Sequence, residues 1–302
     1  MRSKSNLLKK VQMWPGLFLM QILARTPWTV AHAVAHASVW FMWLTNRRAR
    51  PITEVNLGIC FPDITPERRQ SLVKASLYET SASIIDMARC WERSRAYLEG
   101  RISNVVGLEH LDEAVAAGQG TLMLLPHLGS WEIVGLYLSS RYRITALYRE
   151  PRTTVFADYV RRQRQRHGIR LMPIGTAGLR AVLQALRAND MAVLFPDQVP
   201  PRDSGQFAPF FGEPTLTMTL GSKLIHRSGA RAVCAYCKRL PGGRYELVFR
   251  PVDDAIYDAD LTASLAGLNR SVEACVRECP EQYQWEYRRF KFLTDYRKRN
   301  YW

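Results

Sequence analysis

A histidine and a glutamate stand five residues apart, directly after an apolar run of the chain. His127 and Glu132 open and close the hexapeptide 127–132, and the apolar run covers residues 121–125. Histidine titrates near neutral pH, and a carboxylate close to it can fix its tautomer and stabilise its charged form. The pair therefore has the composition of a general base that removes a proton from a hydroxyl group.

The same residues also have a structural interpretation. Ser130 could cap a helix that begins near Trp131, and capping is favoured over a nucleophilic role because the glycine frame of a nucleophile elbow is missing. Glu132 could favour the amino end of that helix through its charge, and His127 could be a hydrogen-bonded core residue. Spacing alone leaves both interpretations open.

Alternating strand and helix patterns must position these residues. Short apolar runs predict strands near residues 121–125, 144–148, 170–174 and 191–195. Helical periodicity and helix-end signals predict helices near residues 131–139, 155–167, 176–188 and 262–278. Runs at 230–240 and 244–252 surround a Pro-Gly-Gly turn and predict an antiparallel hairpin. The sequence therefore predicts an α/β fold, with a mixed sheet flanked by helices.

Polar side chains follow three of the predicted strands. In chain order they are His127 and Glu132, then Arg149 and Arg152, then Asp197 and Gln198. Because the carboxyl ends of parallel strands meet at one edge of a sheet, we expect these groups to converge there. Guanidinium groups bind phosphates through charge-assisted hydrogen bonds, and the side chains of Asp197 and Gln198 can form further hydrogen bonds, so these four residues are predicted to bind an acidic substrate. Solvated surface charges for the arginines, and a loop turn for Asp197 and Gln198, remain open alternatives.

Composition limits the classes of partner. The chain has 302 residues, 47% of them hydrophobic, which fits one large domain with an appendage. Its net charge of +15 implies a positive surface. Such a surface attracts nucleic acid, an anionic membrane, or an acidic substrate or carrier protein. Cys234 and Cys237 lie three apart in a predicted strand and point to opposite faces, so no metal site is predicted. Cysteine usage fits a reducing compartment.

The amino-terminal residues predict association with a membrane. Residues 1–50 form an apolar, basic-flanked segment, in which the stretch 27–44 is uncharged unless His32 and His36 are protonated. That stretch just approaches the roughly 20 residues of a spanning helix, while its tryptophans suit the membrane interface. Spanning the bilayer and lying in its surface both remain open. Residues 51–302 are predicted to form the main domain, with a helical lead-in over 51–103 and an α/β core over 104–302 that ends in a basic, aromatic tail.

Several blocks of the chain together resemble a known family. The blocks are NLGICFP at 56–62 followed by Glu67-Arg68, PHLGSWE at 126–132, LYR at 147–149, PDQ at 196–198, FAPFFG at 207–212 and QYQWEYRRF at 282–290. They resemble the bacterial lipid A late acyltransferases, the lauroyl and myristoyl transferases within the glycerolipid acyltransferase superfamily. The E-G-T-R block that glycerophosphate acyltransferases use for their acceptor phosphate is absent, which favours the lipid A branch over a small phosphoglycerol acceptor.

This resemblance implies a fold, an activity and a location. It implies a glycerolipid-acyltransferase-like fold that transfers an acyl chain from acyl carrier protein to a hydroxyl group of a lipid A precursor, without any other cofactor. His127 would act as base and Glu132 would orient it, while Arg149 or backbone amides would stabilise the oxyanion. The implied site of action is the cytoplasmic face of the bacterial inner membrane, among its lipids. Three alternatives stay open: another glycolipid or aminolipid acceptor, a lipid-binding scaffold without activity, and a basic nucleic-acid-binding protein.

Overall fold

The computed structural model describes residues 16–45, 48–148 and 154–301. The α-helices are α1 (16–25), α2 (Trp28–Thr45), α3 (Ala49–Cys60), α4 (Pro66–Glu92), α5 (Arg95–Glu99), α6 (Leu108–Ala116), α7 (Trp131–Ser139), α8 (Thr154–Arg166), α9 (Thr176–Arg187), α10 (Leu220–Ser228) and α11 (Leu261–Glu278). The strands are β1 (Ile102–Val106), β2 (Thr121–Leu124), β3 (Ile144–Tyr148), β4 (Ile169–Pro173), β5 (Met191–Leu194), β6 (Gly205–Phe210), β7 (Glu213–Met218), β8 (Arg231–Leu240) and β9 (Arg244–Pro251). Short 3-10 helices cover Arg202–Ser204, Pro241–Gly243, Asp254–Tyr257 and Pro280–Gln282.

Seven strands form one mixed sheet, in the order β1-β9-β8-β2-β5-β3-β4. All neighbouring pairs are parallel except β8 and β9, which form the antiparallel hairpin predicted around the Pro-Gly-Gly turn. Strands β6 and β7 form a separate antiparallel pair. The predicted mixed α/β fold is therefore confirmed, with parallel pairing dominant.

The sheet is buried on both faces because helices pack on each side. In β2, Leu122 and Leu124 belong to a core cluster that includes residues of α9, α10 and α11. Met123 lies between them and belongs to a second cluster, which includes residues of α6, α7 and α8. This alternation follows from the two-residue period of a strand, and it explains why the run shows no polar face in sequence.

Helix α2 packs against α4 through small residues. Ala31 and Ala35 are buried against Ile85, and the hydroxyl of Ser38 donates to that of Ser81 at 2.8 Å. Among the helices that the structure describes, none combines the length and the apolarity that crossing a bilayer requires.

Some elements were not predicted. These are the edge strand β1, whose parallel partner β9 lies far along the chain, helix α10, and the β6–β7 hairpin, whose two strands are close in sequence. Helix α9 begins at Thr176, as the predicted helix near residues 176–188 implies, and the chain enters it at Gly175 with a φ angle of 147°. The six cysteines are all buried and free, as expected of small apolar packing residues.

Candidate active site

The register of two parallel strands brings His127 to Asp197. Strand β2 pairs with β5 so that Thr121 lies opposite Met191 and Leu124 lies opposite Leu194. The backbone amide of Leu125 continues the ladder by donating to the carbonyl of Leu194 at 2.9 Å. His127 and Asp197 each follow the last of these paired residues by the same number of positions. They therefore meet just past the carboxyl ends of the two strands, where α/β folds place their sites.

Asp197 holds the imidazole and the backbone of His127 at once. Its Oδ1 atom accepts from Nδ1 of His127 at 2.8 Å, and its Oδ2 atom accepts from the backbone amide of His127 at 2.7 Å. The carboxyl group is buried. Burial by itself raises the pKa of Asp197, but the charge of His127 and these two hydrogen bonds lower it further, so the pKa lies below its usual value. Asp197 is therefore held as a carboxylate.

The other ring nitrogen of His127 is left as the reactive atom. Because a carboxylate only accepts, Nδ1 carries a proton, so the lone pair of the neutral ring is on Nε2. The side-chain amide nitrogen of Gln198 lies 3.3 Å from that Nε2 atom. The ring packs against Phe195 and Trp131 with centroids 4.8 and 5.2 Å away, and the side chain is 15% exposed. The arrangement fits a general base that is fixed in one tautomer.

A cavity of about 180 Å³ opens beside His127. One wall comes from α4, through Thr80, Ser83, Ile84 and Met87, and the other from Trp131, Gln282, Gln284 and Glu286. The apolar side chains can contact hydrocarbon, while the amides and the Glu286 carboxyl group offer polar contacts. Burial raises the pKa of Glu286 above its usual value.

Glu132 does not contact the imidazole in the part of the chain that the structure describes. It lies in the first turn of α7, and its carboxylate accepts from the guanidinium of Arg164 in α8, with Nε to Oε1 at 3.2 Å. The carboxylate that bonds to His127 is Asp197 instead. The difference arises because the helix turns Glu132 away from the strand end, toward the neighbouring helix. Its predicted catalytic role remains a prediction, with Arg164 as its partner.

A buried polar cluster holds the loop between His127 and Glu132. The hydroxyl of Ser130 donates to Asp86, which also accepts from Arg239 at 2.7 Å and from the hydroxyl of Tyr245 at 2.6 Å. Asp86 and Arg239 are 2% and 5% exposed. Ser130 does precede α7, but its hydroxyl makes no cap hydrogen bond, so the predicted capping role is corrected. The hydroxyl instead ties the loop to α4 and β8.

Gly129 lets this loop pass close to β8. Its φ angle is 60°, and an added Cβ would lie 2.0 Å from the carbonyl oxygen of Cys237. The amide of the next residue, Ser130, donates to that same carbonyl at 2.8 Å. The amide of Gly129 donates to the carbonyl of Gln282 at 3.0 Å. Only glycine fits this position without displacing the loop.

Of the four residues predicted to bind substrate, the structure places two beside His127 and does not describe the other two. Gln198 lies at His127, together with Asp197. Arg149 and Arg152 lie outside the described residues, so their predicted roles stay predictions. The sequence interpretation missed Arg164 and treated Asp197 only as a substrate-binding residue. Counting equal steps past two neighbouring strands would have identified Asp197 as the partner of His127.

Comparison with known proteins finds similarity to acyltransferases of lipid A biosynthesis. Residues 1–292 match the family described as bacterial lipid A biosynthesis acyltransferase. The chain is similar to the lipid A biosynthesis lauroyltransferase of Escherichia coli K12, with 26% identity over 92% of this chain and 90% of that protein. It is also similar to the palmitoleoyltransferase of the same organism, at 26% identity over 81% and 79% of the two chains. The corresponding myristoyltransferase matches at 25% identity over 90% and 84%.

Proposed function

Because the chain belongs to the bacterial lipid A biosynthesis acyltransferase family, we propose that it transfers a fatty acyl chain from acyl carrier protein to a hydroxyl group of a lipid A precursor. The observation that carries the chemical part of this proposal is the Asp197–His127 pair, with Nε2 of His127 beside an open cavity. Membership of this family gives no support to the alternative that the chain is a nucleic-acid-binding protein. The positive surface is instead explained by a phosphorylated lipid, an acidic carrier protein and an anionic leaflet, which all carry negative charge.

In the proposed reaction the acceptor oxygen attacks the thioester directly. Nε2 of His127 takes the proton of the acceptor hydroxyl, and the oxygen adds to the thioester carbonyl. Collapse of the tetrahedral intermediate breaks the carbon–sulfur bond, and the imidazolium returns its proton to the departing thiolate. Asp197 stabilises the imidazolium, while the Gln198 amide is placed to donate to an oxygen at this position.

No covalent enzyme intermediate is needed for this sequence of steps. Ser130, the hydroxyl nearest to His127 in the motif, is 4% exposed and donates to Asp86. Cys237 accepts a backbone hydrogen bond from Ser130 in the loop 127–132 and is buried, and burial holds the pKa of its thiol well above the usual value. Neither group is available as a nucleophile toward a substrate in the cavity.

We also propose that the amino-terminal helices rest on the cytoplasmic face of the inner membrane. Val30, Val34, Phe41 and Leu44 recur at helical spacing on one face of α2 and are exposed, as is Trp40 at 69%. An apolar face of this kind fits insertion into the interface rather than solution. Vesicle flotation tests this: Phe41→Ser with Leu44→Ser should reduce binding to anionic vesicles, whereas unchanged binding would contradict the proposal.

An assay with acyl carrier protein thioesters of several chain lengths and partly acylated lipid A precursors tests the function. His127→Ala should lower kcat by about 10²- to 10⁴-fold, because that is the usual contribution of a general base. His226→Ala is the matched control, since His226 is exposed on α10. Absence of transfer by the unaltered protein with every donor and acceptor would contradict the function, and near-normal turnover by His127→Ala would contradict the mechanism.

The pH dependence of kcat/KM separates the two carboxylates. Asp197→Asn should lower the rate and also move the acidic limb to lower pH, since the anion that favours the protonated imidazole is lost. Glu132→Gln should lower the rate without that displacement, because its carboxylate bonds to Arg164. If Glu132→Gln moves the limb and Asp197→Asn does not, then Glu132 is the group that charges the imidazole.

A further inference from the structure

Two cavities lined by cationic side chains lie at the carboxyl-terminal tail, outside the cavity at His127. The first has a volume of about 320 Å³ and is lined in part by Val199, Arg202, Tyr287 and Lys291. The second, of about 570 Å³, is lined by Arg288, Lys291, Lys298, Arg299, Asn300 and Tyr301. Lys291 lines both cavities, so they share a wall. We call the two together the tail pocket.

A turn of the tail brings together Lys291 and Arg299, two residues that line the tail pocket. A tight turn closes at Tyr296, which has a φ angle of 62°, and the amide of Arg299 donates to the carbonyl of Lys291 at 2.9 Å. Lys298 pairs through its backbone with Phe292. Arg202 joins from the loop after β5, donating to the carbonyl of Tyr296 at 2.9 Å with its guanidinium 5.0 Å from the centroid of the Phe292 ring.

Three cations of the tail pocket have no carboxylate partner among the described residues. Arg202, Lys291 and Lys298 form no salt bridge with any carboxylate that the structure describes. The acidic groups next to them are already engaged: Glu213 binds Arg299, and Asp295 binds Arg297. Cations held together in concave space repel one another, so a bound anion would remove that repulsion.

The tail pocket is connected to the active site through two short segments. Val199 follows Gln198 directly, and its amide donates to the hydroxyl of Tyr287 at 2.8 Å. Four residues of extended chain span at most about 14 Å, which limits the distance between the Cα atoms of Gln198 and Arg202. On the second segment Glu286 lines the cavity at His127, and the next residue, Tyr287, lines the tail pocket. A single amphiphilic substrate can therefore reach both places.

We propose that the tail pocket binds phosphate monoester groups of the glycolipid acceptor and so fixes which hydroxyl group reaches His127. This rests on the proposed function. Lysine and arginine together are the usual ligands of a phosphate dianion, and the aromatic rings beside them suit a sugar–lipid headgroup. The cations line concave space shared by two cavities, which fits a small anion better than the flat surface of an acidic carrier protein.

The ratio of kcat/KM for a phosphorylated acceptor to that for its dephosphorylated counterpart tests this proposal. Lys291→Gln with Lys298→Gln should lower the ratio by about 10- to 100-fold, the equivalent of losing charge-assisted hydrogen bonds to phosphate. Any misfolded fraction cancels because both rates come from one preparation. Lys223→Gln, which changes an exposed lysine on α10, is the matched control and should leave the ratio unchanged.

Three outcomes would overturn the proposal. The first is an unchanged ratio in the double variant. The second is a selective rise in the KM for the carrier protein, which would make the tail pocket its docking site. Inorganic phosphate is the probe for the third, and we expect it to compete with the acceptor in the unaltered protein. The contradicting outcome is inhibition that does not compete with the acceptor, which would indicate a separate site for free phosphate. Transfer by the unaltered protein in the same assay shows that the proposed function itself holds.

Discussion

Two buried arginines lie near the active site, and their surroundings are opposite. Arg239 in β8 is 5% exposed and lies between two carboxylates, those of Asp86 and Glu79. Burial by itself would lower the pKa of Arg239, but these carboxylates raise it above the usual value. The two carboxylates balance the charge of Arg239, and Arg239 also donates to the hydroxyl of Ser130 in the loop 127–132.

Arg289 in the tail is 3% exposed but has only neutral hydrogen-bond partners among the described residues. Its guanidinium donates to the carbonyl of Leu216 at 2.7 Å and to the hydroxyl of Thr217 at 3.1 Å, while its Nε atom finds no acceptor there. Burial lowers the pKa of Arg289, and the attraction of Tyr283 and Asp197 offsets this only in part. The comparison indicates that Arg239 stabilises the fold around the site, whereas we expect the charge of Arg289, which interacts with that of Asp197, to act on the site.

Removing Arg239 is expected to give the largest effect. Arg239→Met leaves Asp86 and Glu79 buried without a cation, which should lower the free energy of unfolding by about 3–5 kcal/mol. Urea denaturation measures this at neutral pH. The deficit should shrink as the pH falls, because protonation neutralises the two carboxylates. A loss below about 1 kcal/mol would contradict the structural role of the cluster.

Ser130→Ala is expected to cost less. The hydroxyl is buried and has two partners, donating to Asp86 and accepting from Nη2 of Arg239 at 3.2 Å, so its loss should cost about 1–3 kcal/mol. We also expect kcat to fall, because the loop that carries His127 loses this tie. Ser228→Ala is the control, since among the described residues that hydroxyl bonds only to the end of α10 and the turn after it. Unchanged kcat with lowered stability would mean that the cluster supports the fold alone.

The two arginines also show what the sequence could predict. The strands and helices that carry the site follow from local periodicity, and the meeting of His127 with Asp197 follows from in-register parallel strands. The contact of Arg239 with Asp86 joins residues 153 positions apart, and no local pattern encodes it. Glu132 was assigned to His127 because the two are close in sequence, but its partner is Arg164, which α8 brings to it from 32 positions along the chain.

The amino-terminal helix shows the same limit. Residues 27–44 are apolar apart from a somewhat polar stripe with His32 and His36, and this alone left open whether they span the bilayer or lie in its surface. In the structure His32 and His36 share a face with Ala31 and Ala35 that contacts α4, where both imidazoles meet the ring of Tyr78. The face that carries Val34 and Phe41 is exposed, and His32 and His36 are themselves exposed beside the contact with α4. Helix packing, which is invisible in the sequence, separates the two faces.

Arg289→Met should have a smaller effect on stability than Arg239→Met, within about 1–2 kcal/mol, because no carboxylate loses a bonded partner. Its effect on activity should be electrostatic. The cation opposes protonation at the Asp197–His127 pair, so its loss should move the acidic limb of kcat/KM to higher pH by about 0.3–1 unit. Arg289→Lys keeps the charge and should restore the limb. Equal displacement in both variants would contradict an electrostatic role.

The smallest effect is expected for a third arginine, which has a carboxylate but little burial. Arg250 bonds to Glu278, and both side chains are 38% exposed. Arg250→Ala should lower the free energy of unfolding by less than about 1 kcal/mol, since water and salt screen the pair and Glu278 keeps the hydrogen bond from Tyr236. A double-mutant cycle with Glu278→Gln in low and high salt measures the coupling. A coupling energy as large as the loss caused by Arg239→Met would mean that contact with a carboxylate, rather than burial of the pair, sets the strength of these ion pairs. The contrast between Arg239 and Arg289 would then need no contribution from desolvation.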